Sequence, residues 1–399
     1  MAYSISKNEL CSYLIHYHSL DCFDRLSGES GVKKYFKKIG SIQYDPLDVV
    51  GRNPNLVLQS RIKGFTTDIL DKLLYKDRIL VDAWDKEMSI YKTEDWPYFN
   101  RIRACRGEGC KNTLARRGQT EVLLYTNQIL GELKTRGPLG AKDIDLGKCK
   151  SGRWGHKKIA GAGLDYLFTI GKLGVYDRKN AIKIYDIIEN LIPAKILGAK
   201  EPFGENNDFL EWYFLRRVGS IGIHWLRNGL GWNGFFLNDS KLRVKIFESL
   251  EKKGLIIKVT APEINENFFI RQQDIKLLHK KPDYDNNIRF LAPLDNMLWD
   301  RLMVHKIFNF QYSWEVYLPV EKRKYGYYVL PVLYQNRLIA RMEPTKQEIG
   351  KPFSIKNWWW EPGISMNNDL KNAIKNGLKL FSEYLKADGI DKNSLKKIY

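Results

Sequence analysis

Apolar residues along this chain follow two spacings, and the switches between them outline its elements. Residues 8–17 and 31–39 carry helical spacing. "TTDILDKLLY" (66–75) sets Ile69, Leu70, Leu73 and Leu74 on one helical face behind Thr66 and Thr67 as cap candidates. Two later segments share a plan. In "LDYLFTIGKLGV" Leu164 and Leu167 precede Gly171, and in "FESLEKKGLIIKV" Phe247 and Leu250 precede Gly254, 83 residues further on. Each predicts a helix with a buried apolar face, a glycine cap where positive φ is cheap, and an apolar strand after it. Upstream of each lies a helix–turn–helix pattern: "VLLYTNQILGELKTRGPLGAKDI" before the first, "FLEWYFLRRVGSIGIHWLRNGLG" before the second. Helix, turn, helix, glycine, strand, loop, strand is the plan of a winged helix.

A weaker third instance is expected at the front, where Phe36 and Gly40 share the spacing and "SIQYD" takes the strand's place. Residues 92–115 are polar and basic and read as a linker or as exposed helix ends. From about residue 308 the alternation changes to period two. "FNFQYSWEVYLP", "RKYGYYVLPVLYQNRLIARMEP" and "KNWWWEPGIS" read as antiparallel strands, and 368–386 as a closing amphipathic helix. The fold class predicted is α+β. The divisions are 1–115, 116–198 and 199–285, each built around one winged helix, and 286–399 as a β-rich C-terminal part.

Charge narrows the function. The chain has 399 residues with 65 Lys and Arg against 46 Asp and Glu, a net charge of +19. An apolar fraction of 44% is enough to fill cores, so the excess is a positive field over a folded protein. Such a field concentrates polyanions, nucleic acid first and an anionic membrane surface second. No run of about 18 apolar residues is present to span a bilayer. The N-terminal stretch lacks an apolar signal region, and five cysteines without a CxxC pair suit a reducing cytoplasm. No cofactor or metal is expected.

Candidate chemistry lies in "KKIGSIQYDPLDVVGRNPNLVLQSR" (37–61). In an extended segment alternate residues share a face, so Gln43 and Asp45 aim an amide and a carboxylate at one point while Tyr44 turns away to pack. The plainer alternative is a polar turn ahead of Pro46. Asp48 competes for the carboxylate role.

Several blocks, in order, resemble the bacterial winged-helix DNA glycosylases that unhook interstrand crosslinks, the YcaQ/AlkZ-like family. They are "GSIQYDPLDVVGRNPNLVLQSR" (40–61), "WDKEMSIYKTEDWPYF" (84–99), "GPLGAKDI" (137–144), "KLGVYDRKNAIKIYDIIENLIP" (172–193) and the long block from 290 to 343 that begins "FLAPLDNMLWDR". The resemblance implies three tandem winged helices in a C-shaped scaffold with a concave basic surface. It also implies a catalytic Gln–aliphatic–Asp motif falling on Gln43, Tyr44 and Asp45; Tyr44 departs from the aliphatic middle residue. Lys86 stands where the family often has His. The implied reaction is hydrolysis of the N-glycosidic bond of N7-alkylated purines in double-stranded DNA, crosslinks included, by a monomer associated with the nucleoid. A non-enzymatic winged-helix regulator or lesion sensor is the alternative, and an RNA or membrane-surface protein a third.

Basic residues expected at DNA phosphates are Arg52, Arg61, Arg136, Arg153, Lys157 and Lys158. Trp84 and Trp96 read as packing residues, "NWWW" as strand packing, His16 and His18 as internally satisfied histidines. Asp295, Asp300 and Arg301 read as one ion-pair cluster.

Overall fold

The computed structural model of the chain describes residues 3–149 and 158–399. It is a mixed α+β structure with several small sheets, divided into two compact units, residues 1–70 with 210–399, and residues 71–209.

In the 71–209 unit, strands Leu80–Trp84 and Met88–Lys92 form an antiparallel hairpin. Helices Asn100–Arg116, Thr126–Arg136 and Ile159–Thr169 follow. The short strand Leu139–Gly140 pairs with Ile182–Ile187, which pairs with Leu173–Lys179. Ile129, Leu133, Leu164, Leu167, Leu173 and Tyr185 form the core between helices and sheet. Residues 92–115 are therefore no linker: the 17-residue helix Asn100–Arg116 runs through them. Its inward face mixes Ile102, Gly107 and Leu114 with stacked arginines, so hydrophobic counting underrates its burial. The Arg103 guanidinium lies 3.9 Å over the Trp96 ring and that of Arg106 4.2 Å over Trp84. Both tryptophans thus pack inside the unit.

In the other unit, Ser6 and Glu9 form a reciprocal cap on helix Lys7–Tyr17. Its two histidines are internal: His16 bonds Asp21 at 2.7 Å, and His18 bonds Tyr35 at 3.1 Å and the Ile221 carbonyl at 2.8 Å. Helix Gly28–Ile39 leads through Gly40 to strand Ser41–Gln43. Helix Asn206–Ile221 leads through Gly222 to His224–Trp225, which pairs with Glu266–Arg271, itself paired with Ile256–Ala261 after helix Ser240–Lys252.

The repeat expected around Gly171 and Gly254 is present, with φ of 77° and 66° at the two glycines and a strand after each. Gly40 belongs to a different register. Helices ending at Gly40, Gly137 and Gly222, with φ of 81°, 80° and 93°, each enter a two- or three-residue strand. Gly40 is therefore the counterpart of Gly137 and Gly222, the first glycine of the plan and not the second.

The C-terminal sheet is Ile288–Phe290, Leu330–Tyr334, Arg337–Pro344 and Ile355–Trp360, all antiparallel neighbours. Helix Asn368–Tyr384 lies against it at Gly377, where a Cβ would come within 2.6 Å of the Ile288 carbonyl oxygen. Trp358 is buried in the last strand, as its packing role required. "FNFQYSWEVYLP" is not a strand. Asn309 takes a left-handed φ of 54°, and only the short helical turn Glu315–Tyr317 is regular. Nor do Asp295, Asp300 and Arg301 form one cluster. Asp295 pairs with Arg61, Asp300 caps Met303 and accepts from the Trp225 indole, and Arg301 stacks on Tyr312.

Candidate active site

Strand Ser41–Gln43 and the five residues after it present the candidate chemistry. Burial alternates as an extended segment requires: Ile42 and Tyr44 are buried, Gln43 and Asp45 half-buried. The amide and carboxylate therefore emerge on the side opposite the core, and the Tyr44 ring packs inward.

Three side chains hold the strand and its entry by their carbonyls. Arg216 donates to the Gly40 oxygen at 2.9 Å, Asn296 to the Ser41 oxygen at 2.9 Å, and Asn53 to the Gln43 oxygen at 2.7 Å. Asn53 also accepts from the Leu294 N–H at 3.0 Å, tying the strand to the chain 241 residues away. Asn53 and Asn296 are fully buried. Sequence reasoning missed both, although each lies inside a block that carries the family resemblance. Asn53→Ala removes the Nδ2 donor from the Gln43 carbonyl and the Oδ1 acceptor from the Leu294 N–H, a cost of about 1–3 kcal/mol for each lost buried bond. We expect urea denaturation to show that loss, and single-turnover base excision to fall by more than about tenfold, since a 1 Å displacement of a catalytic group costs about 10²-fold. Unchanged excision by the folded variant would remove Asn53 from the positioning role.

Asp45 precedes Pro46, and its Oδ1 accepts the Leu47 N–H at 2.9 Å. The turn that the plainer reading foresaw is thus real, and it uses one carboxylate oxygen. Among the described residues no cation pairs with Asp45. Burial pushes its pKa up from the ordinary value near 3.8, and the Leu47 N–H offsets part of that rise. Two phenols feel its charge: Tyr328, deeply buried and raised first by that burial, and Tyr317, whose largely exposed side chain is raised by partial desolvation and then by Asp45. Asp48 differs. Its carboxylate accepts the Gly51 N–H at 3.1 Å and lies 3.8 Å from Arg52 Nε, so it is committed to its own loop. The site offers one electrostatically uncompensated carboxylate. Such a group can take a proton from water or stabilise a developing cation.

A family model described as "DNA glycosylase AlkZ-like" matches residues 36–382. The chain belongs to the AlkZ-like DNA glycosylase family. It is an enzyme acting on DNA, and that displaces the regulator reading. Among solved structures, the Streptomyces sahachiroi DNA glycosylase AlkZ is similar over 97% of this chain and 98% of its own, at 13% identity and a TM-score of 0.66. That likeness speaks for the fold.

The expected phosphate contacts separate. Arg61 is a correction: it is fully buried, its Nη2 2.7 Å from Asp295 Oδ2 and its Nη1 donating to the Val57 carbonyl, so no phosphate can reach it. Arg136 is exposed beside Glu132, and Lys158 is exposed at the start of helix Ile159–Thr169. Arg52 is partly buried beside Asp48. Arg153 and Lys157 lie outside the described residues. Lys86 is buried. Among the described residues, no helix is long and apolar enough to cross a membrane, and no group of His, Cys, Asp and Glu side chains could hold a metal ion.

Proposed function

We propose that this glycosylase hydrolyses the N-glycosidic bond of N7-alkylated purines in duplex DNA, including both halves of an interstrand crosslink, with Asp45 and Gln43 handling the water. The observation that carries this reading is the Asp45 carboxylate: half-buried, without a neutralising cation among the described residues, and mounted next to a strand clamped, with its entry, through three carbonyls. N7 alkylation makes the base cationic and a good leaving group, so no general acid is needed. What remains is to deliver water to the anomeric carbon and to balance the charge of an oxocarbenium-like sugar. Asp45 serves both needs, and its raised pKa makes it a stronger base toward water. Gln43 offers an amide that both donates to and accepts from that water. The buried Tyr44 ring supplies the packing behind the pair.

The recurring helix, short strand, helix and hairpin are read as winged helices, three along the chain. Arg52, Arg136 and Lys158 are proposed at phosphates, which set register without reading sequence. In the decisive experiment a duplex with one N7-methylguanine and a second with an N7-bridged nitrogen-mustard crosslink are incubated with enzyme. We expect free alkylguanine and abasic sites from the first, and separated strands from the second. Release from the monoadduct alone would confine the reading to unlinked lesions, and release from neither would end it.

A further inference from the structure

The segment after Trp314 has a construction that the hydrolytic site does not explain. Within residues 317–327, Tyr317 is 80% exposed, Val320 74%, and Leu318 and Tyr327 37% each. Single exposed apolar residues are ordinary on any surface, but four in one eleven-residue loop are not. The loop is also rigid. Glu315, itself buried, accepts the N–H groups of Tyr325 at 2.9 Å and Gly326 at 3.2 Å. Glu343, buried as well, accepts the Tyr327 N–H at 2.9 Å. A Cβ at position 326 would lie 2.4 Å from the Glu343 carboxyl carbon, so only glycine fits between these carboxylates. Within the loop, Arg323 Nε donates to the Leu318 carbonyl at 2.8 Å, and backbone bonds run from Leu318 to Glu315 and from Lys322 to Pro319. Two buried carboxylates thus clamp the base of a loop whose tip is apolar and uncovered. Such a tip is costly to hold in water unless something occupies it.

We propose that residues 317–320 form a wedge that enters the base stack of lesion-bearing duplex DNA beside Asp45, with the Tyr317 ring and the Val320 side chain filling the opened step. The proposal rests on the reading of Asp45 as the hydrolytic centre. Three features select duplex DNA as the occupant. The Tyr317 and Tyr328 rings both lie edge-on to Trp314, with centroids 5.8 and 6.2 Å away, and both phenols feel the Asp45 charge, so the tip and the carboxylate share one neighbourhood. The next residues are Glu321, Lys322, Arg323 and Lys324, three cations in four positions, suited to the phosphates flanking an opened step. And a rigid apolar or aromatic tip is what unstacking a base step demands, because a flexible one would lose its freedom on insertion. Tyr317 rests edge-on against Trp314, with ring centroids 5.8 Å apart, which fixes its direction without covering it.

The wedge can be tested without reference to chemistry. A duplex with 2-aminopurine beside one N7-methylguanine is bound by Asp45→Asn protein, which holds the lesion uncleaved. We expect 2-aminopurine fluorescence to rise severalfold. Adding Tyr317→Ala with Val320→Ala should abolish the rise while changing affinity for undamaged duplex by less than about threefold. Tyr317→Phe, which keeps the ring, should retain it. In otherwise unaltered enzyme, Tyr317→Ala should slow excision by about tenfold to a hundredfold, the scale of one lost base–aromatic stack. A rise that survives the double substitution overturns the wedge. Unaltered enzyme that raises fluorescence but releases no base supports the wedge and sinks the hydrolytic reading. Base released with no rise sinks the wedge alone.

Discussion

Replacing Asp45 by Asn should lower single-turnover excision from an N7-methylguanine duplex by about 10²–10⁴-fold, the usual contribution of a positioned general base. The melting temperature at pH 7 should not fall. The amide keeps an oxygen for the Leu47 N–H, so the turn before Pro46 survives. What disappears is a charge the fold disfavours. Burial raises the Asp45 pKa, and among the described residues no neighbouring cation offsets it. For an acid whose pKa is raised on folding, ionisation subtracts from stability. The cost is absent below the ordinary Asp value near 3.8 and complete above the folded pKa. The Asn variant should therefore match or exceed the parent in stability at neutral pH, and the difference should close as pH falls through that window. Activity runs the opposite way. The ionised base is lost on acidification at a pH above the ordinary Asp value near 3.8, so excision should fall there once spontaneous depurination is subtracted. Wild-type excision by the Asn variant would remove Asp45 from the reaction. A rate that stays flat through that window would show that the reaction does not use the ionised Asp45.

A stable fold that gains by losing a side chain marks a position where function overrides stability. Asp45 is expected to fit that description, and Asp48, three residues on, is not. Asp48 bonds Gly51 and faces Arg52, so its charge is already used by its own loop.

What could be read from the chain divides by range. Glycine-capped helices followed by strands are local signals, and the plan around Gly171 and Gly254 was legible for that reason. Gly40 misled because the later copies carry two capping glycines, Gly137 and Gly171, then Gly222 and Gly254, whereas before the first hairpin Arg78 takes the positive φ of 55°, leaving Gly40 as the one glycine to match. The Asn100–Arg116 helix was hidden because its inward face relies partly on arginines stacked on Trp84 and Trp96, a pairing that hydrophobic periodicity does not register. Segment 308–319 has strand-like alternation, but strand formation also needs a partner edge, and none was foreseeable locally. In the candidate site, the i, i+2 placement of Gln43 and Asp45 was legible in outline. Asn53 and Asn296 were not, because their bonds to backbone bridge partners up to 255 residues apart and leave no spacing to find.

Arg61 shows the same limit with the largest expected consequence for stability. Arg61→Ala should destabilise the protein by about 3–5 kcal/mol in urea denaturation, because it leaves the Asp295 carboxylate buried without its counter-charge. The pair lies 2.7 Å apart with both side chains at 0% exposure, and the guanidinium also stacks 4.9 Å from the Tyr35 ring centroid. Its position explains the severity. Asp295 caps the turn that begins at Asn296, the residue that holds the Ser41 carbonyl, so the pair supports the strand carrying Gln43. Removing both charges together should cost far less: in Arg61→Met with Asp295→Asn, the amide still caps Met297 and no lone charge remains. A phosphate contact predicts another pattern. There, Arg61→Ala would leave stability within about 0.5 kcal/mol, as for ordinary surface changes, and lower the salt slope of DNA binding by about one. We expect the folded fraction of Arg61→Ala to bind undamaged duplex with an unchanged salt slope. A stable variant with a reduced slope would return Arg61 to the DNA surface.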